Sequence, residues 1–146
     1  MSKLLKNKFL VVSIVIFVVV AGYRYYKTKN KQIYQGKGLW SSYKMTSMDI
    51  EGKSYQLVVA DNPARWTQGL MYVRKPVKEF DGMIFNFPNK QMQTFWNENT
   101  FVPLTLYWLA DGKVIGKSDL PSIEESKEIV TVQSPAPADG VAEIIK

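Results

Sequence analysis

The hydrophobic pattern changes character once along this 146-residue chain, and the change divides it in two. Phe9–Tyr23, FLVVSIVIFVVVAGY, is apolar all round apart from Ser13, with basic residues on both sides. A helix of that kind must be buried in protein or lie in lipid, and lysine-rich flanks argue for lipid. Tyr23, Tyr25 and Tyr26 extend the run as an interfacial belt, while Lys8 and Arg24 can snorkel. Residues 9–26 are therefore expected to form a transmembrane helix or signal anchor, after a basic n-region at 1–8 and before a basic tether at 27–42. Leu39 and Trp40 of the tether are candidates for contact with the domain or the lipid surface. Beyond it the pattern shortens to strand-length runs, and residues 43–146 are expected to fold as one globular domain.

Within that domain, Lys44–Ile50 and Tyr55–Ala60 flank Glu51-Gly52-Lys53 and read as a hairpin, with Tyr55, Leu57 and Val59 alternating inward. Asn62 and Pro63 predict a helix start, with Asn62 as N-cap and the helix running to about Met71. Gly69 marks the end of that helix or a close approach to a strand. Asp81-Gly82 reads as a turn into a strand at Met83–Phe87, stopped by Pro88, with Asn89-Lys90 as the next turn. The central stretch is Gln93–Leu109, QTFWNENTFVPLTLYWL. Its polar cluster Asn97-Glu98-Asn99-Thr100 predicts a corner, and Leu104–Leu109 a buried strand. Asp111-Gly112 predicts a two-residue hairpin loop into Lys113–Ser118. Asp119–Lys127 reads as an acidic loop, and Glu128–Gln133 as a strand with Ile129 and Thr131 on one face. Pro135, Pro137 and Gly140 form a rigid loop before a last short strand at Val141–Ile145. Seven or eight short strands and one helix predict an α+β, mostly β domain, a compact barrel or sandwich.

Composition removes whole classes of chemistry. There is no cysteine and no histidine, which excludes disulfides, thiol catalysis, histidine-liganded metals and serine–histidine triads. The net charge of +6 looks like a nucleic-acid signal, but its distribution does not. Residues 1–44 carry nine Lys/Arg and no Asp/Glu, a charge of +9, and the other 10 basic and all 13 acidic residues leave 45–146 at −3. A nucleic-acid-binding domain needs its basic face on the domain itself. No nucleotide or cofactor motif is present, since Gly36-Lys37-Gly38 lacks strand–helix context, and no cofactor is expected.

The order Val58-Val59-Ala60-Asp61, Pro63, Gly69-Leu70-Met71, Arg74, Gly82-Met83-Ile84-Phe85, Phe87-Pro88, Phe95-Trp96, Asn99-Thr100 and Pro103-Leu104 closely resembles the family called domain of unknown function 192. The resemblance covers roughly Gln56–Ile145. It implies a small, largely β domain with one helix, often behind an export signal or membrane anchor, and no settled activity. This chain departs from the family at two places: Asn97-Glu98 stands where Met-Lys is usual, and Thr105 where an aspartate is usual.

Candidate binding residues are Trp96, Asn97, Glu98, Asn99, Thr100 and Arg74. Trp96 is a core aromatic or a stacking platform; Asn99-Thr100 bonds the backbone at the corner; Arg74 pairs with Asp81 or Glu98, or binds an anion. Glu98 and Asp81 are weak catalytic candidates, and Asp61 reads as a turn or cap residue. Asp119, Glu124, Glu125 and Glu128 match no calcium-loop spacing and read as a solvated face; no metal site is expected. The function expected is a non-catalytic binding or accessory module of the cell envelope, tethered to the bilayer through 9–26. A glycan, peptide or protein would be its partner, held near Trp96, Asn97, Asn99 and Trp108. A small hydrolase or transferase using Glu98 with Asp81 or Arg74 is the alternative. Location is expected at the cytoplasmic membrane, single-pass with the domain outside, or secreted after cleavage at Ala21.

Overall fold

The structure, a computed structural model, describes residues 40–146. The n-region, the apolar span and the tether up to residue 39 lie outside the described residues. Among the described residues no helix is long and apolar enough to cross a membrane. The domain starts with a 3₁₀ turn at Trp40–Ser42, and Trp40 is buried edge-on against Tyr43 and Phe80, with centroids 5.1 and 5.3 Å away. Of its two possible partners, Trp40 therefore has the domain.

Eight strands follow: β1 (Met45–Ile50), β2 (Lys53–Ala60), β3 (Gly82–Gln91), β4 (Thr94–Trp96), β5 (Leu104–Ala110), β6 (Lys113–Leu120), β7 (Thr131–Gln133) and β8 (Ala138–Ile145). Two short helices, α1 (Pro63–Gln68) and α2 (Ile123–Ser126), complete the set. Six strands form one sheet in the order β1-β2-β3-β8-β5-β6, and β4 pairs with β7 in a separate ribbon. The mostly β, α+β class holds. The sheet is not a closed barrel, because β1 and β6 end it as unpaired edges.

Local chemistry explains the elements. Both predicted hairpins form on two-residue loops, the first one residue tighter than Glu51-Gly52-Lys53 because Lys53 joins β2; their central residues take positive φ, Glu51 and Gly52 at 51° and 80°, Asp111 and Gly112 at 50° and 72°, as the twist of the strands requires. The Asn62 side chain accepts from the Arg65 N–H at 3.1 Å and caps α1. That helix ends earlier than Met71, at Gly69, whose φ of 46° and ψ of −143° suit glycine alone. The segment from α1 to Asp81 carries the chain across to β3, which pairs parallel with β2 and so needs such a crossover.

Four expectations change. Pro88 does not stop β3, because the strand runs on to Gln91 through Asn89-Lys90. The ladder to β8 is irregular between Asn86 and Gln91, where a residue without an N–H is tolerated. The acidic loop contains α2, built by a capping box in which Ser122 and Glu125 bond reciprocally. On β2 both faces are buried, Leu57 on one and Val58 and Ala60 on the other, rather than the single face of Tyr55, Leu57 and Val59. In the stretch before β7, Ile129 faces solvent at 58 % exposure, while Val130 and Val132 pack against the core.

The largest difference concerns β8. It begins at Ala138, so Gly140 lies in the strand and not in a loop, and it fills the slot between β3 and β5 as the centre of the sheet. One sheet face carries Val58, Met83, Phe85, Leu104, Leu106, Trp108 and Val141. The other carries Ile50, Leu57, Tyr107, Ala142 and Ile144. At this second face Glu51, from the β1–β2 loop, accepts from Tyr107 Oη at 3.2 Å and from Lys117 Nζ at 3.0 Å.

The fit of β8 is tight. A Cβ on Gly82 would lie 1.9 Å from the Glu143 carbonyl oxygen, so Gly82→Ala must push the two strands apart. The substitution is expected to cost several kcal/mol and lower the melting temperature by roughly 10–20 °C, read by circular dichroism. An unchanged melting curve would show that β8 does not need the close approach.

Candidate functional site

A cleft of about 270 Å³ opens on the larger core face, between α1 with the segment after it, β3, and the β4 end of the ribbon. Its walls are aromatic. Trp66 packs on Phe87 at 5.3 Å, Phe87 stacks on Phe85 at 6.4 Å, and Phe85 meets Phe95 edge-on at 5.0 Å. Phe95 in turn meets buried Trp108 at 5.7 Å, so the wall is continuous with the core. The cap and early end of α1 hold Trp66 in place, and its indole N–H donates to the Ala60 carbonyl at 3.0 Å. Gly69 lies against the Phe85 ring, which a Cβ there would meet in ordinary contact at 3.5 Å. Trp96 stands at the rim, 44 % exposed.

Glu143 also lines this cleft. It falls on the same side of β8 as Val141, between Met83 on β3 and Leu106 on β5, both fully buried. Only 4 % of the residue is exposed, and its Oε2 has no hydrogen-bond partner among the described residues. Burial pushes its carboxyl up to about 8, so the acid is largely protonated at neutral pH. Among the described residues no Lys, Arg or Asp lines the cleft, and its other polar groups are hydroxyls and amides, among them Gln93, Thr94 and Thr100. Gln93 is itself buried and donates to the Ala138 carbonyl at 3.2 Å, tying the cleft wall to the start of β8.

The predicted cluster separates around this cleft. Trp96 and Thr100 line it, but Asn97, Glu98, Asn99 and Arg74 do not. Asn97 is completely buried, and its bonds lie within the chain. Its amide nitrogen donates to the Pro121 carbonyl at 3.0 Å and Ser126 Oγ at 2.8 Å, and its oxygen accepts from the Val130 N–H at 2.8 Å. It ties the corner to the α2 segment. Asn99, at φ 55°, accepts the Tyr72 N–H at 2.7 Å. Glu98 is exposed. Arg74 lies over the Phe101 ring at 3.7 Å and pairs with Glu124 at 3.4 Å, rather than with Asp81 or Glu98. Asp81 accepts the Gln56 N–H at 2.8 Å. Asp61 pairs with Arg65 and Lys44 beside the α1 cap. Among the described residues no group of acidic side chains has the geometry of a metal site.

A family model described as DUF192, Uncharacterized ACR, matches residues 46–146. The chain belongs to the DUF192 family. Two solved structures share its fold. A Sinorhizobium meliloti protein provisionally described as a transcription regulator is 27 % identical, with a TM-score of 0.55 over 71 % of this chain and 82 % of its own. A protein of unknown function from Novosphingobium aromaticivorans is 21 % identical, with a TM-score of 0.51 over 75 % of this chain and 86 % of its own. No curated protein matches the chain.

Both departures from the usual DUF192 pattern are occupied structurally here. Asn97 is the internal tie just described. Thr105 donates to Asp119 Oδ1 at 2.9 Å, and Asp119 pairs with Lys146 at 2.7 Å. The acid of the cleft comes instead from β8, at a residue absent from the sequence-derived candidates. The signal was available: Glu143 is the one charge between Gly140 and Ile145, in phase with apolar Val141 and Ile145, and a polar residue at a core position is informative.

Burial of Glu143 has a definite pH signature. With the folded-state pKa raised to about 8 from 4.5, the native protein holds a proton that the unfolded chain has released between those values. Stability is then full below about pH 4.5 and falls by about 1.4 kcal/mol per pH unit as pH rises toward 8. Urea denaturation at pH 5 and pH 8 should show this loss, and Glu143→Gln should flatten it. Parallel profiles for the two proteins would contradict the burial.

Proposed function

We propose that this chain is a membrane-tethered binding domain of the cell envelope, without catalytic activity. Its aromatic cleft would take a compact ligand with a flat apolar face, a sugar ring or an aromatic ring. The observation that carries the reading is the wall formed by Trp66, Phe87, Phe85 and Phe95 with half-exposed Trp96 at its mouth. Ligand sites are typically concave and mostly apolar, with a few placed polar groups. The apolar run at 9–26 and the lysines on either side of it support a single-pass anchor at the cytoplasmic membrane. The lack of histidine and cysteine in a −3 domain is compatible with the outer side.

Hydrolysis or group transfer through Glu98 has no comparable support. Glu98, Asp81 and Arg74 stand outside the cleft, and two of them have protein partners of their own. The Sinorhizobium protein's provisional description as a transcription regulator weighs little here, because the excess basic charge lies before residue 45 and not on the domain.

Soluble N-acetylglucosamine oligomers and benzyl alcohol are the first probes, followed by tryptophan fluorescence of the full chain in a maltoside detergent. Saturable quenching is expected, and Trp96→Ala should weaken it by roughly three- to tenfold. Failure of both probes would remove the stacking role. For topology, external protease on spheroplasts should remove a C-terminal tag while a cytosolic control survives. A protected tag would place the domain inside.

A further inference from the structure

We propose that the cleft selects an organic cation, with a ligand ammonium seated on the Glu143 carboxylate and its hydrocarbon part against the aromatic walls. The proposal rests on the binding-domain reading above and adds the charge of the ligand to it. Three observations support it.

The first is the acid itself. Glu143 stands on the central strand of the sheet, 4 % exposed, with Oε2 unpartnered. Buried carboxyls normally have a partner, and in this domain other acids have theirs. Asp119 has Lys146, Glu51 has Lys117, Asp61 has Arg65, and Glu125 has the Ser122 cap. A buried acid facing a cleft is left with an unfilled valence that a ligand can fill. The second observation is the surroundings. Trp66, Phe85, Phe87, Phe95 and Trp96 present ring faces and edges to the space, and a cation within about 6 Å of such a face is attracted by it. The third is what the cleft lacks. Among the described residues its lining contains no basic side chain, so an anionic ligand would meet an acid and aromatic rings with nothing there to neutralise it.

The proton balance is simple. The carboxyl is mostly protonated in the empty domain at neutral pH, so seating a permanent cation releases one proton to solvent and leaves an ion pair in the cleft. Among the described residues no other titratable group lines the cleft. α1 and the segment after it present Trp66, Thr67, Gln68, Leu70 and Met71; β3 presents Phe85 and Phe87; β4 presents Thr94, Phe95 and Trp96. On β8 the other carboxylate, Asp139, accepts the Asp111 N–H beyond the cleft.

The test is calorimetry on the full chain in a maltoside detergent, with choline and its neutral isostere dimethylbutanol as probes. Choline is expected to bind at least tenfold more tightly than the isostere at pH 8. Its affinity should rise about tenfold between pH 6 and pH 7 and level off above about pH 8, with a proton released per site. Glu143→Gln should remove both the preference and the pH dependence; should that variant fold poorly, the wild-type pH profile alone distinguishes the ion pair from a neutral contact. Equal binding of both probes at pH 8, or tighter binding of the isostere there, would overturn the cation and make Glu143 a neutral hydrogen-bond donor. Binding of neither probe, nor of the two probes named for the stacking wall, would overturn the binding-domain reading together with this one.

Discussion

The domain depends on the insertion of β8 between β3 and β5. Until that strand docks, β3 pairs only with β2 and β5 only with β6, so the sheet exists as two separate pieces. Docking closes both ladders at once and completes the core on both faces, Val141 toward one and Ala142 and Ile144 toward the other. The close approach at Gly82 belongs to the same event, because it admits the β8 backbone where any side chain would collide. The pairing is also strongly non-local, joining residues 82–91 to 138–145. Its closure entropy opposes folding until the packing gain on both faces offsets it.

An unpaired acid at the centre of that strand works against stability. At Glu143 an apolar residue in phase with Val141 and Ile145 would bury cleanly, whereas a carboxyl either ionises without a partner or holds a proton at a pH where the unfolded chain would release it. The chain retains a local cost at the place where the fold is otherwise tightest. Such costs gather where a surface is used rather than merely packed. The neighbouring features agree, since α1 ends early on Gly69 beside the Phe85 ring, and Gln93 ties the β4 side of the cleft to the first residue of β8.

The local code was readable wherever chemistry acts over two to four residues. The loops at Glu51-Gly52 and Asp111-Gly112 and the Asn62 cap follow from turn and cap rules, and the strand after Pro103 from its nearly continuous apolar run, with no tertiary information. Family membership was also legible, because four short motifs in order constrain one another. What failed was mostly what depended on a partner distant in sequence. Pro88 reads as a stop until the ladder to β8 shows β3 itself bulging there, where its missing N–H costs no ladder bond. The acidic loop hid α2 for a different reason: Glu125 reads as one of four acidic charges, and only its pairing with Ser122 three residues before it makes a capping box. Val141–Ile145 reads as a last short strand until its two neighbours are known, and only then does Glu143 become a buried acid. Asn97 drew notice as an unusual polar residue, and its peculiarity is an amide fully used inside the fold.

A single acid also limits what the cleft can do. General acid–base hydrolysis divides its work between two groups held at a set separation, and here one titratable side chain lines the cleft among the described residues. The hydroxyls of Thr67, Thr94 and Thr100 offer hydrogen bonds but have no base to activate them. Glu98, the acid that the chain carries where the family usually has lysine, is turned to solvent by the corner that Asn97 anchors. Among the described residues the cleft holds one carboxyl and a wall of rings, and on the proposed reading the rings would hold the ligand while the carboxyl answers its charge.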